Sequence, residues 1–450
     1  MTKISILGAG MAGFGAAYRL QNEGASCDVY EKSSFYGGHA TSFVHDEGFI
    51  FDDGPHISFT KDERIQELFA ESVKGEYETL QAQVNNYWQG YWIKHPAQCN
   101  LHGLPTDLVV KILSDFVGAQ FAPNGGEIRN YADWLLASFG RTFAETFPMV
   151  YGLKYHTTPA ENMSTDWLGP RLYRPDLDEV FRGALTRSTP DVHYVTHFRY
   201  PTHGGFVGYL SMFIEKTPVE LGHEITRIDP RQRQLHFAHG AVVDYEHVIS
   251  SIPLPVLIPM IDGAPPHVLE AADRLAATTC VNVNIGVDRE DISEAHWSYF
   301  YDPDVFFTRV SFPHLYSPNN TPPGMGSIQA EVYYSEKYRP LDRSPEACIE
   351  PVISDLKRCG IIRDEDRILF TNTTLTRYAN VIFDLDRASA LETVHGYLDD
   401  IGVAYCGRYG DWGYHWTDDA FKSGERAAQQ VLDAMSGAPA GQGRVGGGAG

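Results

Sequence analysis

Residues 4–13 read Ile4-Ser5-Ile6-Leu7-Gly8-Ala9-Gly10-Met11-Ala12-Gly13, and residues 27–31 read Cys27-Asp28-Val29-Tyr30-Glu31. The first four are a short apolar run of the kind a buried parallel strand makes. A glycine turn follows at once, and Ala16, Ala17 and Leu20 then recur at helical spacing. The second run is another strand, so the chain opens on one βαβ unit. Gly8, Gly10 and Gly13 form G-x-G-x-x-G between strand and helix. Gly8 allows the tight turn and Gly10 lets the backbone approach a pyrophosphate. The helix N-terminus then stabilises that anion with its unpaired N–H groups and its dipole. Glu31 lies 23 residues beyond Gly8 at a strand end, where a carboxylate accepts the hydroxyls of an adenosine ribose.

Outward from this unit, Gly37-Gly38-His39-Ala40 follows Glu31 by six residues. A glycine pair there resembles the second fingerprint of FAD enzymes, where the chain passes the pyrophosphate again, and it points to FAD rather than NAD. At the far end, a strand over 403–406 meets Gly407-Arg408-Tyr409-Gly410 and then a helix over 418–435. Such an ending fits a strand and helix returned to the flavin from the opposite end of the chain. Between the two ends, 61–75 and 104–190 read as largely helical, 219–252 as β, and 280–375 alternate with period two, as antiparallel strands do. The expected fold is α/β: a Rossmann-type FAD-binding domain with an inserted helical region and an antiparallel-sheet substrate domain. The expected division is FAD-binding segments over 1–75, 199–265 and 396–436, a mainly helical cap over 76–198, the antiparallel-sheet domain over 266–395, and a disordered Gly/Ala-rich tail over 437–450.

Composition narrows the classes. The 450 residues carry 58 acidic against 36 basic side chains, a net charge of −22, which repels nucleic acid and anionic membrane surfaces. At 43% hydrophobic and 21% charged, the chain is neither disordered nor fibrous. Six scattered cysteines form no C-x-x-C pair, so no zinc or other metal site is expected. No 18-residue apolar run and no secretory leader is visible, and cytoplasmic placement is the expectation.

Further blocks carry a family resemblance. They are Asp53-Gly54-Pro55-His56-Ile57, His95-Pro96-Ala97-Gln98-Cys99-Asn100, Trp167-Leu168-Gly169-Pro170-Arg171, and Phe198-Arg199-Tyr200-Pro201 with His203-Gly204-Gly205. Trp297-Ser298-Tyr299-Phe300, Arg309, Tyr316-Ser317-Pro318 and the run Gly407 to Tyr414 complete the set. Together they resemble the UDP-galactopyranose mutase family, its eukaryotic type above all, within the flavin amine oxidase and protoporphyrinogen oxidase-like class. The resemblance implies a redox-neutral, FAD-dependent nucleotide-sugar mutase that interconverts pyranose and furanose forms of UDP-galactose or a related sugar nucleotide. In that family reduced flavin N5 bonds to the anomeric carbon and expels the nucleoside diphosphate. It further implies catalytic roles for Arg171, Arg309, His56 and Arg408, and flavin contacts from Gly8, Gly10, Gly13, Glu31, Gly38, His39, Ile225, Gly407 and Arg408. Substrate contacts fall to Gln98, Arg171, Tyr299, Arg309, Tyr316 and Tyr414. Planar guanidinium groups suit a diphosphate because they bind its oxygens in a bidentate fork. NAD(P)H is implied as a transient reductant of the flavin, and the oligomeric state is left open, a homo-oligomer included.

The chain also departs from the pattern. His95 stands where the family has a tyrosine. Gly152 and His156 stand at the spacing of an asparagine and a tryptophan that hold the base. Either the donor carries another base or sugar, or Tyr151, Tyr155 and His156 replace the lost contacts. Residues 378–381, Tyr-Ala-Asn-Val, replace a proline-bearing loop. The competing reading is an FAD-dependent oxidoreductase of the amine oxidase or protoporphyrinogen oxidase type. The paired arginines count against it, since an amine or apolar substrate has no use for them.

Overall fold

The computed structural model describes residues 3–121, 127–169 and 172–437. Its first layer is a five-stranded, all-parallel sheet in the order Val403–Tyr405, His247–Ser250, Ile4–Leu7, Cys27–Tyr30, Val219–Glu220. A parallel sheet needs cover on both faces. Ile4, Ile6, Leu7, Val29, Val248 and Ile249 are accordingly all buried. One face is covered by the helices Met11–Asn22 and Thr417–Ser436. They cross at two glycines: a Cβ on Gly15 would lie 2.1 Å from the Phe421 carbonyl oxygen, and one on Gly424 1.9 Å from that of Ala12. The other face carries a core that joins an antiparallel meander, Ile225–Asp229, Gln234–Phe237 and Val242–Asp244, to the helices Pro266–Arg274 and Arg387–Asp400. The expected α/β architecture, with both parallel and antiparallel sheets, is what the chain forms.

The second large layer is a seven-stranded sheet in the order Ile368–Val381, Ala277–Val287, Gly326–Tyr334, Arg309–Ser311, Trp297–Phe300, Val84–Trp88, Tyr91–Lys94. Every pairing is antiparallel except that of Val84–Trp88 with Trp297–Phe300. The period-two reading over 280–375 is interrupted by the helix Ile349–Arg358, whose Val352 and Leu356 are wholly buried and seal one edge of the sheet's core. The strand Ile368–Val381 runs on through Tyr378 to Val381, where no proline stops it from pairing with Ala277 and Thr278.

The helical insertion comprises Thr106–Gln120, Tyr131–Phe139, Arg141–Thr146, Pro148–His156 and Leu177–Leu185, packed around Leu135, Phe139, Phe143 and Phe147. Its helix starts are well specified. The Asn130 side chain accepts the Asp133 N–H, Asp176 and Glu179 form a capping box, and Pro148 opens its helix. Gly140, at φ +73°, passes so close to Asp115 that a Cβ would lie 2.5 Å from its backbone. Of the segment 437–450, only Gly437, which caps the last helix, falls among the described residues. Among the described residues no helix is long and apolar enough to cross a membrane.

Candidate active site

Three glycine turns from distant parts of the chain converge. Gly8, at φ +102°, sends its N–H to the Tyr30 carbonyl at 2.8 Å, and a Cβ there would strike the Ser251 Oγ at 2.2 Å. A Cβ on Gly13 would lie 2.0 Å from the Gly8 oxygen. The second turn, Gly37-Gly38, bonds back to the first through the Gly37 N–H and the Ala9 carbonyl at 2.8 Å. The third, at Gly407, would bring a Cβ to 2.7 Å from that of Ala12. Its N–H donates to the Ser423 Oγ at 2.8 Å. The Glu31 carboxylate accepts the N–H groups of Ala9 and Ser33 at 3.0 and 2.9 Å, which sets it beside the first turn. Such a cradle of backbone, in which side chains do not fit, suits a dinucleotide pyrophosphate. Ile225 is buried in the meander, two residues after His223, whose N–H bonds to the Glu31 carbonyl at 2.8 Å.

Next to these turns lie the charged groups. His39 places Nδ1 3.0 Å from Asp53 Oδ2, and the Thr376 hydroxyl donates to the other Asp53 oxygen at 2.6 Å. The His39 ring meets that of Tyr409 edge-on at 5.4 Å. Burial works to raise the Asp53 carboxyl, but the His39 contact and the Thr376 hydroxyl outweigh it and hold the group below the usual range. His56 bonds through Nδ1 to the Gly54 carbonyl at 2.8 Å, which makes Nδ1 the protonated nitrogen. Burial pushes its pKa down to about 4, so the ring is neutral at pH 7. Arg408 donates from Nε to the His415 carbonyl at 2.8 Å and from Nη1 to the Ala379 carbonyl at 3.1 Å, and lies over the Tyr414 ring at 5.5 Å. Its charge is therefore held by carbonyl dipoles rather than by a carboxylate.

The antiparallel sheet brings the second set together. Register places Tyr299, Arg309 and Glu331 side by side on three neighbouring strands. The Glu331 carboxylate grips Arg309 at both ends, with the Nη2 bond at 2.8 Å and a shorter one at Nε. The Tyr333 hydroxyl donates to the same carboxylate at 2.7 Å. The Tyr299 hydroxyl accepts from Trp297 Nε1 at 3.1 Å, and its ring faces His95 at 4.9 Å and Tyr151 at 5.4 Å. The Tyr414 hydroxyl lies 2.8 Å from that of Tyr155. Tyr316 is buried among Phe198, Tyr200 and His296, and burial raises its phenol well above the ordinary value despite the nearby Arg309 charge.

Gln98 lines a small cavity of about 60 Å³ with His95, Tyr173, His193, Tyr194 and Tyr301, and donates to the Tyr173 carbonyl at 2.7 Å. His95 occupies the tyrosine position and spends Nδ1 on the Asn86 Oδ1 at 2.9 Å. His156 packs edge-on against Tyr155 and Trp167, and burial pushes its pKa down to about 3. Arg171 lies outside the described residues. Glu331, Tyr333 and Tyr155 join the site without having been singled out for these contacts. One signal for the first two is in the sequence: Ser327, Gln329, Glu331 and Tyr333 occupy one face of a strand whose other face is Ile328, Ala330 and Val332, so one face of an interior strand is polar.

Comparisons with known proteins give the family and the fold. The profile of the family described as flavin containing amine oxidoreductase matches residues 11–432. In structure the chain is similar to reduced UDP-galactopyranose mutase, with a TM-score of 0.91 and 26% identity over 96% of each chain. A putative protoporphyrinogen oxidase from Exiguobacterium sp. 255-15, at 16% identity and TM-score 0.72 over 96% of this chain and 98% of that one, shares the fold alone. Matches to curated sequences are shorter. The zeta-carotene desaturase of Capsicum annuum is 40% identical over 57 residues, 13% of this chain and 10% of the relative. The 4,4'-diapophytoene desaturase of Staphylococcus aureus (strain Newman) is 29% identical over 106 residues, 24% of this chain and 20% of the relative. The chain thus spans a fifth or less of the length of these two relatives.

Proposed function

The chain belongs to the flavin-containing amine oxidoreductase family, and on that premise we propose that it is a redox-neutral mutase that interconverts pyranose and furanose forms of a nucleoside diphosphate sugar, UDP-galactose or a relative. The observation that carries this reading is a half-buried guanidinium, Arg309, fixed by Glu331 and set beside Tyr299 on the neighbouring strand. A fixed guanidinium has five N–H donors, of which Glu331 takes two, and such a group suits an anionic substrate or leaving group. The likeness to reduced UDP-galactopyranose mutase over almost the whole chain supports the same choice.

The glycine cradle, with Glu31, Gly38, His39 and Gly407, would hold the FAD. Reduced flavin, when bound, supplies an electron-rich ring nitrogen suited to bonding an anomeric carbon. The chain's own groups act on the other partner. Arg309 binds the departing diphosphate oxygens, and Arg171 is the second guanidinium of this reading. Tyr299 and Tyr414 donate to the same oxygens as charge develops there. Because Glu331 already holds Arg309 planar and in place, little reorganisation accompanies departure. His56, neutral and tied to Gly54, adds no positive charge of its own. NAD(P)H is the proposed transient reductant.

The test is anaerobic. Dithionite-reduced protein, given UDP-galactose and other nucleotide sugars, is expected to yield the ring isomer by chromatography with no net consumption of electrons, while the oxidised protein yields none. Arg309→Ala is expected to keep its flavin and lose at least about tenfold in turnover. A second reading, an FAD-dependent oxidoreductase, draws on the full offset of the Arg309 charge by Glu331, which leaves that part of the site electrically neutral. Bleaching of the flavin by an amine or alcohol, with no isomerisation of any nucleotide sugar, would establish that reading instead.

A further inference from the structure

The helix Pro148–His156 delivers Tyr155 to the site, and its hydroxyl meets that of Tyr414, 259 residues away, at 2.8 Å. The Tyr155 ring is fixed from three sides: Tyr151 stacks at 5.6 Å, Tyr333 packs at 4.7 Å, and His156 stands edge-on at 4.8 Å. Tyr333 is committed in turn, through its hydroxyl, to the Glu331 carboxylate that grips Arg309. Tyr414 lies beneath Arg408. One phenol therefore links the two guanidinium groups: its ring packs on Tyr333, which is bonded to the Glu331 that holds Arg309, and its hydroxyl meets that of Tyr414, whose ring lies beneath Arg408.

In a bond between two hydroxyls, one gives its proton and the other accepts. Tyr155 is 7% exposed, and burial keeps its phenol protonated far above the ordinary range. An anion on the Tyr414 side sets the direction. Tyr414 turns its own proton to the anion and accepts from Tyr155, so the order is Tyr155 to Tyr414 to anion oxygen. Accepting a hydrogen bond polarises the Tyr414 O–H and strengthens the bond it gives.

We propose that Tyr155 is a positioning residue that orients and polarises the Tyr414 hydroxyl toward the diphosphate of a bound nucleotide sugar. The proposal rests on the nucleotide-sugar reading above and deepens it. It assigns the hydroxyl of Tyr155 to phosphate recognition rather than to the base, so the diphosphate and not the nucleobase is what this residue selects.

The experiment compares flavin-loaded wild type, Tyr155→Phe, Tyr414→Phe and the double variant, with UDP, inorganic pyrophosphate and uridine as probes followed by perturbation of the flavin absorbance. Tyr155→Phe keeps the ring and deletes one hydroxyl. It is expected to weaken UDP about fivefold and to leave uridine within about twofold. In the Tyr414→Phe background the same substitution is expected to add nothing. Equal losses for UDP and uridine, an unchanged UDP affinity, or additive losses in the double variant would each overturn the relay. Should Tyr155→Phe not retain flavin, Tyr414→Phe is read alone, and an unchanged UDP affinity there overturns the relay as well. Wild type that binds neither UDP nor pyrophosphate overturns the nucleotide-sugar reading and the relay together. Wild-type UDP binding that Tyr155→Phe leaves unchanged overturns the relay alone.

Discussion

Arg309 and Glu331 show how strongly a single contact can decide what a residue does. Glu331 is buried, and the side chain of its partner is 22% exposed. Removing one member of such a pair leaves the other without compensation in a poorly solvated place. Glu331→Ala is therefore expected to destabilise the folded protein by about 3 kcal/mol in urea titrations, whereas Glu331→Gln, which keeps the acceptor oxygen, is expected to lose less. His95 illustrates the limit of reading residues singly. Its type suggests a polar contact for a ligand base, yet Asn86 consumes its Nδ1, and the same Asn86 oxygen accepts the Tyr301 hydroxyl at 3.2 Å. Partners 9 and 215 residues away along the chain are beyond any motif.

Among the elements, the two helices that cover the parallel sheet depend on the absence of side chains where they cross. Within a helix, alanine is ordinarily favoured over glycine by about 1 kcal/mol. At Gly424 the added methyl would enter the Ala12 carbonyl, so Gly424→Ala is expected to reverse that preference and destabilise by about 2–3 kcal/mol. Flavin content after purification and the urea midpoint measure it, and a stabilised variant would contradict the crossing. The βαβ opening and the final strand and helix are legible in the sequence because each rests on local rules, a glycine turn between an apolar run and a helical pattern. The strands Val84–Trp88 and Tyr91–Lys94 are not legible in that way. Asn86 occupies a fully buried position in the first of them, and its polarity conceals the strand until its distant partners are known. The helix Ile349–Arg358 is likewise obscured by the strands on either side of it, although Val352 and Leu356 lie on one face at helical spacing.

Across the whole molecule, buried imidazoles set the response to acid. His56, His193 and His296 are pushed down to about 4 and His156 to about 3, each mainly by burial, against 6.5 in an unfolded chain. The unfolded state therefore binds more protons than the folded one between pH 6.5 and 4, so stability is full above 6.5 and is lost as pH falls through that window. Asp52 opposes this, since burial raises it to about 6 and its contribution is lost as pH rises through that value. Burial also raises Asp302 and Asp399, but it lowers His45, His95, His247, His314, His395 and His415 as well, so the imidazoles outweigh these carboxyls, and each unit of displacement is worth about 1.4 kcal/mol. The urea midpoint is expected to be clearly lower at pH 5 than at pH 7.5, with an unchanged slope; a higher midpoint at pH 5 would contradict these placements.

The parallel sheet has a consequence for synthesis. Its central strand, Ile4–Leu7, precedes the outer strand Val403–Tyr405 and the Gly407 turn that abuts Ala12 by some four hundred residues of translation. The pyrophosphate cradle therefore cannot close until both segments have been synthesised. Until then the apolar face of the first helix lacks the cover that Thr417–Ser436 gives it in the folded protein.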